Sequence, residues 1–104
     1  MAVVVVATIT PKDGQLDEVV EVFRQKIPDV HSEPGCQLYA LHRAKDKLVM
    51  VERWESVEAL GAHGKGETMA AINAGLKGKV AGPPDIVVTE AVPAGDPAKG
   101  TLSP

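Results

Sequence analysis

The chain has 104 residues, 44% hydrophobic and 24% charged, the composition of one folded domain with no room for separate cofactor and substrate lobes. Its formal net charge is -3 with no basic block in either half, so it lacks the electrostatic footprint of a nucleic-acid or anionic-lipid binder. A single cysteine excludes an internal disulfide, and the run Ala2 to Ala7 has neither the basic flank nor the length of a signal peptide or membrane span, so a cytoplasmic location is the expectation.

Val3 to Ile9 is a β-branched run with Val3, Val5, Ala7 and Ile9 on one alternating face and Val4, Val6 and Thr8 on the other, which predicts a strand buried on both sides. Pro11, Asp13 and Gly14 break it. Leu16, Val19, Val20, Phe23 and Ile27 then recur at helical spacing, with Asp17 and Glu18 near the positive end of the helix dipole, and predict an amphipathic helix. Pro28 cannot donate to the helical ladder, so a kink or irregular last turn and an end between Lys26 and Val30 are expected, before Glu33-Pro34-Gly35 turns the chain.

Cys36 to Ala44 and Leu48 to Glu55, joined by Lys45-Asp46-Lys47, predict an antiparallel hairpin. In its second strand Met50, Glu52 and Trp54 share one face, and Val49, Val51, Arg53 and Glu55 the other. Ser56 suits the N-cap of a short helix through Ala59 and Leu60 toward His63, weakened by Gly61, Gly64 and Gly66. A second helical piece carries Met69, Ile72 and Leu76. Gly82-Pro83-Pro84 ends it before a strand predicted over Ile86 to Val92. The Pro- and Gly-rich residues 93–104 are expected to form a flexible tail beside a single domain at 1–92.

This order predicts an α+β fold, a ferredoxin-like βαββαβ sandwich whose four-stranded antiparallel sheet carries its helices on one face. The helices cover one side only, yet the first strand is apolar on both, and in the last Ile86 and Val88 face away from Val87. About four exposed Val or Leu side chains, at roughly 1.5 to 3 kcal/mol each, amount to about 6 to 12 kcal/mol before association costs. A homodimer with its two sheets face to face is therefore expected. No Cys-x-x-Cys, His-x-x-x-His, Gly-x-Gly-x-x-Gly or phosphate-loop pattern occurs, so no metal or cofactor is expected, and the chemistry falls to the substrate and a few polar side chains.

Three segments in order, Glu33-Pro34-Gly35-Cys36-Gln37-Leu38-Tyr39, Glu52-Arg53-Trp54-Glu55-Ser56 and Ala59-Leu60-Gly61-Ala62-His63, resemble the antibiotic biosynthesis monooxygenase family and its small quinol monooxygenase-like members. The resemblance runs from about Val3 to Val92 and implies a dimeric α+β barrel. It also implies oxidation of a phenolic, quinol or polycyclic aromatic small molecule, with molecular oxygen as co-substrate and no metal or flavin. A deprotonated hydroxyaromatic is electron-rich enough to reduce oxygen itself, so the protein need supply only a dry pocket, a proton acceptor and groups that hold the phenolate.

On that resemblance His63 is the candidate acid or base, because imidazole exchanges protons near neutral pH; its structural alternative is to cap a helix C-terminus. Trp54 offers a flat surface and an indole donor to an aromatic substrate, or else a packing anchor. Glu52, if buried, should have a raised pKa and serve either as a base or partner of His63 or as the ion-pair partner of an Arg or Lys. Tyr39, Met50 and Met69 are candidate substrate-binding residues whose other role is core packing. Arg43 and Arg53 are expected to be solvated or in salt bridges, Cys36 to be a small buried hydrophobe, and His31 and His42 to lie at the surface or an interface. Two other readings stand beside this one: a haem-binding, haem-degrading enzyme of the same fold, whose first-strand Asn has no counterpart in Val5-Val6-Ala7-Thr8-Ile9, and a non-catalytic ligand-binding dimer.

Overall fold

A computed structural model describing residues 1–102 places β1 at Val3–Ile9, α1 at Leu16–His31, β2 at Cys36–Arg43, β3 at Leu48–Trp54, α2 at Val57–Lys65, α3 at Glu67–Leu76 and β4 at Asp85–Thr89. The strands form one antiparallel sheet in the order β2-β3-β1-β4, the α+β, ferredoxin-like arrangement that the sequence predicts.

Register decides which side of each strand meets the helices. Val5 lies opposite Glu52 on β3 and Val88 on β4, Ala7 opposite Met50 and Ile86, and Tyr39 opposite Glu52. Paired residues point to the same side of a sheet, so these side chains form one surface. Its central part, Val3, Val5, Ala7 and Ile9 with Leu48, Met50, Glu52 and Trp54, is buried. Val19, Val20, Phe23 and Val30 of α1 join the same core with Ile72 and Leu76 of α3. Val4, Val6, Val49, Val51 and Ala40 occupy the opposite side and are only half-buried.

Two local outcomes depart from expectation. Helix α1 runs through Pro28 to His31, one residue past the predicted limit. Pro28 and Arg24 are both exposed, so water can satisfy the Arg24 carbonyl that the proline leaves free. The two predicted helical pieces after β3 are α2 and α3, which meet at Gly66, whose extended backbone ends one and begins the other. Strand β4 stops at Thr89 instead of Val92, because its partner β1 begins at Val3 and Thr89 already pairs with Val4. Beyond it Val92 is exposed, and residues 96–100 form a turn in which the Gly100 amide donates to the Asp96 carbonyl at 2.7 Å. The last two residues of the predicted tail, Ser103 and Pro104, lie outside the described residues.

Candidate active site

Between the sheet and the α2–α3 pair lies a cavity of about 750 Å³ that opens along β4, large enough for a small polycyclic ligand. Its walls are chiefly apolar: Val5, Ala7, Ile9 and Met50 from the sheet, Phe23 from α1, and Leu60 and Met69 from the later helices. Ile86 and Val88 form its rim on the edge strand. Polar groups gather at one end, where Tyr39 and Glu52 project from neighbouring strands beneath His63 of α2.

Short-range interactions fix each of these groups. The Ser56 hydroxyl accepts the Ala59 amide at 3.1 Å, capping α2 as predicted and setting the phase that turns His63 inward. His63 is 5% exposed, and its ring stacks on Trp54 with centroids 4.5 Å apart and planes at 30°. Edge-on contacts from Tyr39, at 5.4 Å to His63 and 6.4 Å to Trp54, complete an aromatic cluster. The Trp54 indole N–H donates to Glu52 Oε1 at 2.9 Å.

His63 Nδ1 lies 3.1 Å from both carboxylate oxygens of Glu33. A carboxylate there holds the proton on Nδ1 and leaves the Nε2 lone pair free, the arrangement a general base requires. Glu33 reaches this position through the turn after α1. Gly35 adopts φ +82°, its carbonyl accepts the Glu55 amide at 2.8 Å, and an added Cβ would lie 2.6 Å from the Ala59 Cβ. Glycine's freedom at positive φ and its missing side chain thus let the turn seat directly on α2.

Burial pushes the Glu52 carboxyl above its ordinary pKa; the Trp54 hydrogen bond and the His63 charge pull it down, and the Glu33 charge adds to the rise. Burial also raises the Tyr39 phenol, with Glu52 and Glu33 contributing, so Tyr39 stays a neutral O–H donor. Among the described residues no hydrogen bond reaches Tyr39 Oη, Glu52 Oε2 or His63 Nε2. No buried side-chain polar atom among the described residues is both sealed and unpartnered, so these three atoms, on residues that line the cavity, open to it.

Of the residues selected from sequence, Tyr39, Glu52, His63, Met50 and Met69 line the cavity. Trp54 does not. It is fully buried and meets His63 and Glu52 from behind, so it positions both groups without presenting a face to the cavity. Glu52 has the indole as its partner instead of the predicted Arg or Lys, and among the described residues no salt bridge reaches it. Arg53 is half-buried and donates to Gln37 Oε1 at 2.8 Å and to the Leu102 carbonyl, where solvation or a salt bridge was expected. Arg43 forms its exposed ion pair with Asp17, and His31 and His42 are exposed. Cys36 is half-buried, and burial raises its thiol pKa, the reverse of an activated nucleophile. Glu33 had no predicted role: it lies thirty residues from His63 in a turn, and no short-range spacing signals the pair. Asn73 at the cavity wall was likewise unpredicted. No group of three or more His, Cys, Asp or Glu side chains is placed to hold a metal among the described residues.

The antibiotic biosynthesis monooxygenase family model matches residues 2–75, and the chain belongs to that family. It is 34% identical to the probable quinol monooxygenase YgiN of Escherichia coli K12, over 73% of this chain and 86% of that protein. Among solved structures, a Caulobacter crescentus CB15 protein bearing the same family name superposes with a TM-score of 0.80 at 32% identity, covering 88% of this chain and 90% of its own. Rv0793 of Mycobacterium tuberculosis superposes with a TM-score of 0.82 at 21% identity over 92% of this chain and all of its own, a likeness of fold.

Proposed function

We propose that this protein is a cofactor-independent monooxygenase that oxidises a hydroquinone or related phenol with molecular oxygen. One observation carries the reading: an apolar cavity whose polar end consists of His63 Nε2, Tyr39 Oη and Glu52 Oε2, all without hydrogen-bond partners among the described residues. A flat hydroxyaromatic would bury its ring against Met50, Met69 and Val5 and place its hydroxyl among these three atoms. Membership of the monooxygenase family and the likeness to a probable quinol monooxygenase support the same chemistry.

The reaction balances without an external reductant. A hydroquinone with a free ring carbon and one O2 yield a hydroxyquinone and one water, and the quinol supplies all four electrons. His63 Nε2 takes the hydroxyl proton, while the Tyr39 O–H donates to the developing phenolate oxygen and Glu52, whose ionisation burial disfavours, lies beside it. The apolar walls exclude water and strengthen these contacts. Trp54 holds the imidazole plane and Glu33 its tautomer.

The sheet's other face supports the dimeric state. Val4, Val6, Val49, Val51, Leu38 and Ala40 form an apolar surface on the side away from the helices, and a second copy laid face to face would bury it. The deciding experiment is oxygen uptake by chelator-treated protein offered a panel of substituted hydroquinones and hydroxyanthracenes. Saturable uptake that survives chelation and falls at least about 100-fold in His63→Ala is expected, the size typical of a lost general base. Ligand binding without oxygen consumption would replace this reading with that of a binding module.

A further inference from the structure

His63 is a wall between two hollows. One ring edge faces the apolar cavity; behind the ring, a groove of about 570 Å³ runs between the 33–35 turn and the start of α3. The two spaces have opposite character. Beside His63 the cavity presents Tyr39 and Glu52, both buried, with the exposed Asn73 and Lys77 also on its wall, whereas the groove carries Glu33, Glu55, Glu58 and Glu67 and opens to water. The Glu33 side chain is 19% exposed, against 6% for His63, and both its oxygens lie within hydrogen-bond distance of Nδ1. A proton accepted by Nε2 therefore has a continuous route to solvent through the ring and one carboxylate. The cavity side offers a less polar one, because its mouth along β4 is edged by the apolar side chains of Ile86 and Val88.

We propose that Glu33 is a proton relay, carrying the proton between His63 and the water of the acidic groove, in addition to holding the imidazole in place. This rests on the proposed base role of His63. The O–H bond of the bound phenol breaks as its proton joins Nε2. The Nδ1–H proton passes to a Glu33 oxygen, and Glu33 releases it to water in the groove. Overall oxidation forms water and liberates no net proton, so the same path runs backward when reduced oxygen is protonated. The other carboxylates on the groove, from β3–α2 and α3, keep it electronegative and favourable to a departing proton.

Glu33→Gln separates relay from positioning, because a glutamine oxygen still accepts from Nδ1–H but cannot take up the proton. In the unliganded protein, 15N-histidine NMR should show the Nδ1–H tautomer of His63 retained in Glu33→Gln. Its exchange with water should slow at least about tenfold, which the conservative Glu33→Asp should largely restore. With a quinol that turns over, kcat should fall by a similar factor at unchanged KM. Unchanged exchange and unchanged kcat in Glu33→Gln would overturn the relay and leave Glu33 a positioning residue. The exchange measurement needs no turnover, so a protein that consumes no oxygen with any quinol would refute the proposed activity while the relay is still decided.

Discussion

Replacing Gly35 with alanine tests the turn that brings Glu33 to His63. Two separable penalties arise. At φ +82° an L-residue pays about 1 to 2 kcal/mol for the left-handed backbone. The new Cβ would also stand 2.6 Å from the Ala59 Cβ and 3.4 Å from the Glu55 Cβ, an overlap with no flexible side-chain end to yield, worth about 1 to 3 kcal/mol. Gly35→Ala should therefore destabilise the protein by about 2 to 5 kcal/mol. At a urea m-value of about 2 kcal/mol/M, the unfolding midpoint falls by about 1 to 2.5 M. Removing the opposing methyl with Ala59→Gly relieves only the overlap. The double-mutant cycle should accordingly show a favourable coupling of about 1 to 3 kcal/mol, with the backbone cost left intact. A midpoint within about 0.3 M of the parent, or no coupling to Ala59→Gly, would show that the turn does not seat on α2 in this way.

Glu52→Gln tests the buried carboxyl. Because burial raises the folded-state pKa of Glu52, its contribution to stability is full below the unfolded pKa and is lost as pH rises through the folded value. Calorimetry from about pH 4 to pH 8 should find the melting temperature of Glu52→Gln gaining on the parent as pH rises; a constant difference would contradict the burial argument. Trp54→Phe should cost about 2 to 4 kcal/mol from the lost packing and the lost indole bond. It should also move the Glu52 carboxyl titration further upward by 13C NMR, since that bond lowers the pKa, and an unmoved titration would show that the indole does not hold Glu52. Val51→Lys places a charge amid the apolar outer face of the sheet and should convert a dimer into a monomer in sedimentation velocity at micromolar concentration. A parent that is already monomeric would remove the face-to-face assembly.

Much of the architecture was legible because strand alternation, glycine and proline positions and the Ser56 cap act locally. The period-two pattern of β3 put Met50, Glu52 and Trp54 together correctly. It could not say which side meets the helices, since β1 is apolar on both, and that choice is made by packing against Phe23, Ile72 and Leu76. Trp54 and Glu33 show the same limit at the site. Sequence leaves the indole between a surface for substrate and a packing anchor, and only the fold decides for the anchor, beneath His63. Glu33 gains its role only when the Gly35 turn docks on α2, a tertiary contact that no spacing encodes. Strand β4 ended early because strand length is set by the partner's rungs as well as by β-branched composition.

Single-turnover oxidation of a hydroquinone by the metal-free protein under 18O2 bears most directly on the assignment of this cavity as a monooxygenase site. One labelled oxygen atom should enter the hydroxyquinone and the other should leave as labelled water, with both products lost in His63→Ala. An unlabelled organic product, or release of the label as hydrogen peroxide, would contradict oxygen insertion at this site.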